Sequence, residues 1–187
     1  MDKIILGFVS KLAAGKTTVC QYLAEKYRAE IFTFSTPLRD VLDRFNLPHT
    51  RQNMQAVSQG LREALGQDIL ARVLADDAVG SKVKLVCVDG VRRPKDLEYL
   101  KKLNNFHLIF VAADQKLRWQ RITGRKQNPG EDNWTFEEFK QREAAEAESL
   151  IDEVAREAKF KILNNGTVEE LYEQIEKILT ELGIVDY

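Results

Sequence analysis

One stretch near the start of the chain, Lys3–Thr18 with the sequence KIILGFVSKLAAGKTT, constrains the fold more than any other. It opens with the apolar run Ile4–Leu6, which is typical of a strand buried on both faces of a parallel sheet. The small residues Ser10, Ala13, Ala14 and Gly15 follow, and Val19–Tyr27 has the spacing of a helix. A strand, a loop of small residues, the sequence Gly-Lys-Thr and a helix, in this order, predict a phosphate-binding P-loop.

The loop carries the side chains that nucleotide binding requires. A P-loop surrounds phosphate with backbone N–H groups, so small residues are needed where the phosphate approaches. Lys16 is expected to reach the β- and γ-phosphates of ATP, and the Thr17 hydroxyl is expected to ligate Mg²⁺. The predicted nucleotide-binding residues of the loop are Ala13, Ala14, Gly15, Lys16, Thr17 and Thr18.

Ser10 departs from the usual pattern G-x-x-x-x-G-K-[ST], which has a glycine five residues before Gly15. Because serine tolerates tight turns, we interpret the stretch as a variant P-loop. The alternative is a strand–loop–helix connection in which Gly-Lys-Thr occurs by chance.

Size and composition set limits on the function. The chain has 187 residues, of which 44% are hydrophobic and 30% charged, and its net charge is −1. We therefore predict a single domain over residues 1–187, without a surface for nucleic acid. No apolar run is long enough for a signal peptide or a membrane span, so a cytoplasmic protein is expected. Cys20 and Cys87 lack the spacing of a metal site or a disulfide framework and are expected to be buried free thiols.

Apolar and amphipathic segments alternate along the chain, which predicts a three-layer α/β fold, a parallel sheet covered by helices on both faces. The five predicted strands cover residues 4–9, 29–34, 82–88, 107–112 and 159–163. Three consecutive helices between the second and third strands indicate an insertion over about residues 36–80. Further along, we predict a polar loop over Gly124–Asn133 and one long helix over Phe136–Ala158. The pair Thr167 and Glu170 predicts a capping box at the start of the last helix.

Polar residues follow several of these strands. Parallel sheets bind ligands beyond the carboxyl ends of their strands. The residues expected to converge on this edge are Gly15, Arg39, Arg93, Arg125 and Asn165.

Three short motifs resemble those of the nucleoside monophosphate kinases, the adenylate-kinase-like branch of P-loop proteins. Ser35–Arg39 (STPLR) is similar to the family segment whose arginine holds the phosphate of the acceptor. Asp89–Arg93 (DGVRR) is similar to the family's Asp-Gly-hydrophobic-Pro-Arg segment, with Arg92 in place of the proline. Arg121–Arg125 (RITGR) resembles the Arg-x-x-x-Arg that opens the family's lid, here over about residues 121–135.

Weaker matches extend the resemblance over nearly the whole chain. Glu131, Asp132 and Arg142 resemble the acidic pair and the later arginine beyond the lid, and Asn164–Gly166 falls at the loop for the donor base. The chain also resembles uncharacterised dephospho-CoA-kinase-like proteins of archaea. It has no large lid and no zinc-binding cysteine set. The helices over 52–79 match no family motif, although acceptor specificity is expected there.

The resemblance implies a role for each matched residue. Phosphoryl transfer depends on positioning and on neutralising charge, which guanidinium groups do well. The catalytic residues implied are Lys16, Arg93, Arg121 and Arg125, and the nucleotide would also contact Arg121 and Asn165. The acceptor-binding residues implied are Ser35, Arg39, Asp89, Arg92, Arg93 and Arg142. Asp89 is implied to bind Mg²⁺ through water, together with Thr17, or to contact the acceptor. Ordinary surface or turn roles are the alternative for each arginine and for Asp89.

We therefore predict a kinase that uses ATP and Mg²⁺ to phosphorylate a nucleoside or deoxynucleoside monophosphate. The first alternative is a kinase for dephospho-CoA or another small molecule. A nucleotide-binding regulatory switch is a second alternative, from a different class. The sequence contains no indication of the oligomeric state.

Overall fold

The computed structural model describes residues 3–125, 133–144 and 146–184. The strands are β1 (Ile4–Ser10), β2 (Glu30–Thr33), β3 (Leu85–Asp89), β4 (Phe106–Ala112) and β5 (Phe160–Leu163). The helices are α1 (Lys16–Tyr27), α2 (Thr36–Arg44), α3 (Arg51–Leu65), α4 (Ile69–Gly80), α5 (Pro94–Leu100), α6 (Gln115–Arg125), α7 (Phe136–Glu143), α8 (Glu146–Arg156) and α9 (Val168–Glu181). None of the described helices is long and apolar enough to cross a membrane.

The five strands form one parallel sheet in the order β2-β3-β1-β4-β5. The register pairs Phe8 with Asp89 and Ser10 with Val111, so the strands around β1 end at the same edge of the sheet. The predicted five-stranded parallel sheet with helices on both faces is confirmed. Its central strand, β1, leads directly into the P-loop.

Alternate residues of β1, β3 and β4 enter two separate hydrophobic clusters. Leu6 and Phe8 pack with buried residues of α1 and α9. Ile5 and Val9 pack with buried residues of α4, α5 and α8. Burial on both faces explains why the strands are apolar throughout. Cys20 and Cys87 lie in the first cluster as free thiols, as predicted.

The predicted insertion over 36–80 is too long. Leu70, Ala71 and Leu74 of α4 are buried against the sheet, so α4 belongs to the layer of helices that covers it. Of the three helices in the predicted insertion, only α2 and α3 contribute no residue to the two clusters that contain the sheet residues. Three amphipathic helices in succession look alike in sequence, and only the packing separates the third from the other two.

The predicted long helix over Phe136–Ala158 is also wrong, because α7 ends at Glu143 and α8 begins at Glu146. The two helices bury residues at different places. Phe139 of α7 is buried beside the guanidinium group of Arg118, and Ile151 of α8 is buried against the sheet. No glycine or proline marks the break in the sequence.

Several boundaries differ from the predictions. Helix α6 continues to Arg125, so Gly124 is helical and does not begin a loop. Strand β3 begins at Leu85 and not at residue 82 as predicted. Before the strand, the N–H group of Val83 donates a hydrogen bond to the Ser81 hydroxyl. The capping box of α9 is confirmed: Thr167 and Glu170 each accept a hydrogen bond from the other's backbone N–H group.

The exposed edge of β5 is bonded to a side chain from α9. The N–H group of Leu163 donates to Gln174 Oε1 over 2.9 Å, and Gln174 Nε2 donates to the Leu163 carbonyl over 3.1 Å. The Gln174 amide thus occupies the place that a neighbouring strand would take.

Candidate nucleotide-binding and active site

The P-loop turns sharply between β1 and α1. Gly15 precedes the first residue of α1 with φ of +101°, a conformation that favours glycine. A Cβ atom on Gly15 would also overlap the side-chain nitrogen of Asn164. Ala13 has φ of +61°, in the left-handed region. The backbone therefore requires glycine at 15 for two independent reasons, and small residues leave the N-terminus of α1 open to an anion.

Ser10 does not disturb this loop. It is the last residue of β1, pairs with Val111 and is not among the residues with positive φ. Strand geometry does not require glycine at this position, which explains how the chain departs from the usual pattern there.

Lys16 forms an ion pair with Asp89, the last residue of β3. The Lys16 side chain is 13% exposed and that of Asp89 is 12% exposed. The pKa of Lys16 is lowered to about 8, mainly because of burial; nearby Cys20 acts to raise it, and the charge of Arg92 acts to lower it.

Thr17 is exposed at the start of α1, and its hydroxyl has no hydrogen bond to any described residue. Thr18 is half-buried. No group of three or more His, Cys, Asp or Glu residues in the described part of the chain could hold a metal ion by itself. Mg²⁺ at phosphate sites is typically bound by one or two protein oxygens together with phosphates and water. The Thr17 hydroxyl and the Asp89 carboxylate fit that kind of site.

The segment after β3 is tied to the end of β1. The N–H groups of Gly90 and Val91 both donate to the Phe8 carbonyl, over 3.2 and 3.0 Å. Gly90 has φ of +96°, which turns the chain towards Arg92 and Arg93. Arg92 is exposed and Arg93 is half-buried just before α5. Neither guanidinium group makes a hydrogen bond or an ion pair with another described residue, although their charges act on Lys16 and Asp96 respectively.

The segment after β2 lies next to the end of β3, since the N–H group of Phe34 donates to the Asp89 carbonyl over 3.4 Å. Ser35 is half-buried there, and its hydroxyl lies 2.8 Å from the hydroxyl of Thr33. Arg39 is exposed in α2, and its guanidinium group has no hydrogen bond or ion pair with a described residue. Within the described part of the chain, Arg39, Arg92 and Arg93 are thus free to bind an anion.

Asn164 is part of the site although no motif in the sequence assigned it a role of its own. It is 6% exposed, its Nδ2 donates to the Ala14 carbonyl over 2.9 Å, and its Oδ1 accepts from Arg121 Nη2 over 3.2 Å. Burial alternates along β5 through an exposed Leu163 to a buried Asn164. The sequence does not show this alternation, because Leu163 is apolar. The predicted Asn165 is exposed, and its Oδ1 accepts from the N–H group of Asp114 over 2.8 Å.

Arg121 lies on α6 with its guanidinium group close to Asn164. Its Nη1 atom is buried and has no hydrogen-bond partner among the described residues. Burial also lowers the pKa of Arg121 from its usual value. A buried N–H donor without a partner is costly, so this atom has a capacity to donate that the described residues leave unused.

Arg118, one turn before Ile122 on the same helix, was also missed. It is 4% exposed; its Nε donates to the Ala113 carbonyl over 3.0 Å and its Nη1 to the Leu12 carbonyl in the P-loop over 3.2 Å. Its Nη1 also forms an ion pair with Glu143 of α7. Burial would raise the pKa of Glu143, but the hydrogen bonds from Arg118 and Gln115 outweigh it and lower that pKa. Arg118 therefore joins the P-loop to α7.

The remaining predicted residues lie further along the chain. Arg142 is exposed on α7, with its guanidinium carbon 4.4 Å from the centre of the Trp134 ring. The Trp134 carbonyl accepts a hydrogen bond from Trp119 Nε1 over 2.7 Å. Arg125 ends α6, but its side chain lies outside what the structure describes, as do residues 131 and 132.

A buried ion pair joins the two helices on the proposed acceptor side. Arg62 of α3 donates to both carboxylate oxygens of Asp96 in α5, over 2.8 and 3.0 Å. Burial raises the pKa of Asp96, while Arg62 and the nearby Arg93 act to lower it. No sequence pattern indicates this pair, because its members are 34 positions apart in a charge-rich chain.

Comparison with known proteins supports the P-loop interpretation. The family described as AAA domain matches residues 13–140, which include the Gly-Lys-Thr sequence of the P-loop, the segments that follow β2 and β3, and α6. Among curated proteins, a UPF0200 protein of Staphylothermus marinus is 26% identical over 180 residues, covering 96% of this chain and 94% of that protein.

Solved structures share the fold at low sequence identity. TT1252 from Thermus thermophilus has a TM-score of 0.66 and 19% identity, covering 97% of this chain and 99% of its own. A shikimate kinase from Bacteroides thetaiotaomicron has a TM-score of 0.65 and 13% identity, with the same coverage. These structures show the fold that the chain shares with them, and they do not single out the adenylate-kinase-like branch. The chain has the fold of a P-loop kinase. Because the family match covers more than half of the chain, the protein belongs to the AAA domain family.

Proposed function

We propose that the protein is an ATP-dependent phosphotransferase that moves the γ-phosphate of ATP to a nucleoside or deoxynucleoside monophosphate. The observation that carries this proposal is the pair Arg92 and Arg93 beside the P-loop lysine. Both guanidinium groups lack a hydrogen bond or ion pair with described residues, and the charge of Arg92 acts on Lys16. A P-loop alone suffices for one polyphosphate, so additional free guanidinium groups at the same edge favour a second substrate that carries a phosphate.

The donor nucleotide would occupy the P-loop. Backbone N–H groups around Ala14 and Gly15 and the ammonium group of Lys16 would hold its phosphates, and Mg²⁺ would neutralise charge between them. To reach the phosphates, Lys16 exchanges its contact with Asp89 for one with the nucleotide. The freed Asp89 carboxylate would then be available to water on Mg²⁺ or to the acceptor.

The acceptor would lie between the segments that follow β2 and β3. The Phe34–Asp89 hydrogen bond holds these segments together, with Ser35 on one side and Arg93 on the other. Arg39, Arg92 and Arg93 would bind the phosphate of the acceptor, which places its oxygen towards the γ-phosphate. The pair Arg62–Asp96 would keep α3 at a fixed position beside this pocket.

Arg121 would act on the donor side. Its Nη1 atom lacks a partner among the described residues and would bind a phosphate oxygen, where a fixed positive charge stabilises the transferring group. Arg125 and Arg142 are proposed to contribute in the same way, as the resemblance to nucleoside monophosphate kinases implies.

The test is an ATP-consumption assay with Mg²⁺ and a panel of acceptors. The panel contains ribo- and deoxyribonucleoside monophosphates, dephospho-CoA and shikimate, the last because a shikimate kinase shares the fold. We expect ADP to form only with a nucleoside or deoxynucleoside monophosphate. ADP formed only with dephospho-CoA or shikimate would contradict the proposed acceptor. Binding of ATP without turnover for any acceptor would favour a regulatory nucleotide switch.

A further inference from the structure

The amide of Asn164 connects two parts of the nucleotide site that are distant in sequence. Nδ2 donates to the Ala14 carbonyl over 2.9 Å, and Oδ1 accepts from Arg121 Nη2 over 3.2 Å. The backbone of Asn164 is fixed as well, because its N–H group donates to the Ala112 carbonyl over 2.7 Å. Asn164 is therefore held by β4 while its side chain holds the P-loop and α6.

The two ends of this amide cannot exchange places. The Ala14 carbonyl can only accept a hydrogen bond, and a guanidinium group can only donate. The amide nitrogen must therefore face the P-loop, and the amide oxygen must face Arg121. An aspartate or a leucine of similar size would lose at least one of these bonds.

Gly15 provides the space for this arrangement. Any Cβ atom at position 15 would overlap Asn164 Nδ2. Glycine at position 15 thus leaves room for the Asn164 amide and also allows the backbone to turn with a positive φ.

The bond from Asn164 leaves the second terminal nitrogen of Arg121 unused. Nη1 is buried and has no hydrogen-bond partner among the described residues. One end of the guanidinium group is anchored and the other lacks a partner, which is the arrangement expected of a side chain positioned for an absent anion.

We propose that Asn164 is a positioning residue: it fixes Arg121 against the P-loop so that Arg121 Nη1 meets a phosphate oxygen of the bound nucleotide. The inference rests on the proposed function only as far as nucleotide binding is concerned. It does not depend on which acceptor the enzyme uses.

The experiment measures the dissociation constant of MgATP by calorimetry, without acceptor, for Asn164→Ala, Arg121→Ala and the double variant. If Asn164 acts through Arg121, each single variant should weaken binding about tenfold, the size of one lost charge-assisted hydrogen bond. The double variant should then lose roughly 10- to 30-fold, well short of the hundredfold expected for independent effects. Asn104→Ala is the control, because Asn104 is exposed and makes no hydrogen bond with a described residue.

A purely structural role for Asn164 would lower the melting temperature without this non-additivity. A hundredfold loss in the double variant, or unchanged affinity in Asn164→Ala with an unchanged melting temperature, would overturn the inference. If Asn164→Ala does not fold, the dissociation constant of MgATP for Arg121→Lys tests the inference instead. The lysine side chain has one nitrogen and cannot bond to both Asn164 and a phosphate with the geometry of a guanidinium group. The affinity of Arg121→Lys for MgATP should therefore also fall. Wild-type affinity in that variant would contradict the inference.

The outcomes also separate this inference from the proposed function. Wild-type protein that binds MgATP but phosphorylates no acceptor would contradict the phosphotransferase alone, and the double-variant comparison would still decide the role of Asn164. Wild-type protein that does not bind MgATP would overturn both.

Discussion

Lys16, the first residue of α1, and Asp89, the last residue of β3, neutralise each other in an ion pair that is largely shielded from water. The two residues lie on neighbouring parts of the sheet edge, because Phe8 of β1 is paired with Asp89 in the register of the strands. In the absence of a nucleotide, the Asp89 carboxylate is therefore the anion that pairs with the P-loop lysine. Binding of a polyphosphate would replace this carboxylate and release it for the metal or the acceptor.

Nucleotide affinity should depend on pH through Lys16. Burial lowers the pKa of Lys16 to about 8, so the free protein loses this charge as the pH rises through that value. Because the phosphates favour the ammonium form of Lys16, nucleotide binding above pH 8 requires Lys16 to take up a proton. The affinity for MgATP, measured by calorimetry, should be constant near pH 7 and fall above pH 8 by up to about tenfold per pH unit. Lys16→Arg is the control: arginine stays charged, so its weaker binding should not vary with pH. Constant wild-type affinity from pH 7 to 9.5 would contradict the burial argument.

Replacing Gly15 by alanine should abolish nucleotide binding and destabilise the protein. The backbone at Gly15 has φ of +101°, and a Cβ atom there would overlap Asn164. A side chain in such a conformation costs about 1–3 kcal/mol before the overlap is counted. Gly60→Ala is the matched control, since Gly60 lies in α3 and a Cβ atom added there would meet no atom within 4 Å. This control should gain up to about 1 kcal/mol from helix propensity. Denaturant unfolding measures both variants, and equal stability for the two would contradict the account of the P-loop.

Arg93→Ala should impair the use of the acceptor more than the use of ATP. Arg93 lies beyond β3, and its guanidinium group has no hydrogen bond or ion pair with a described residue, the P-loop included. Loss of one charged phosphate contact should raise the KM of the acceptor by roughly 10- to 100-fold, with the KM of ATP nearly unchanged. Lys95→Ala, which removes an exposed ion pair with Glu98 in α5, should leave both constants unchanged. Equal increases in both KM values after Arg93→Ala would contradict the placement of Arg93 on the acceptor side.

Asp96→Ala should strongly reduce stability. The variant leaves the guanidinium group of Arg62 buried without its carboxylate partner, which typically costs about 3–5 kcal/mol. Lys101→Ala breaks the exposed pair with Glu157 and should cost no more than about 1 kcal/mol. Chemical denaturation compares the two variants. A small loss in Asp96→Ala would mean that water or another group reaches Arg62 once the carboxylate is removed.

The sequence was sufficient for the sheet and for the edge on which the site lies. The apolar strands and the Gly-Lys-Thr sequence are local signals, and the structure places Gly15, Asp89 and Asn165 at or just after the ends of β1, β3 and β5. Local signals failed where packing decides between similar helices. Nothing in the spacing of Leu70 and Leu74 distinguishes a helix on the sheet from one beside it.

The residues that were missed are connected by long-range contacts. Asn164 reaches Ala14 across 150 positions, and Arg118 reaches Leu12 across 106. Each looks ordinary in its own segment: one is part of a turn sequence, and the other is a charged residue on an amphipathic helix. Their importance depends on which strands are neighbours, and this follows from the order β2-β3-β1-β4-β5 rather than from any motif.

The hydrogen bonds between Gln174 and Leu163 affect whether another copy of the protein can pair with the edge strand β5. An uncovered outer strand can recruit a strand from another molecule and begin aggregation. At the end of β5, both backbone groups of Leu163 are already satisfied by one amide side chain. The sheet therefore cannot be extended at this point by a second chain without first displacing Gln174, and the neighbouring Asn164 is protected from such an encounter beside the nucleotide site.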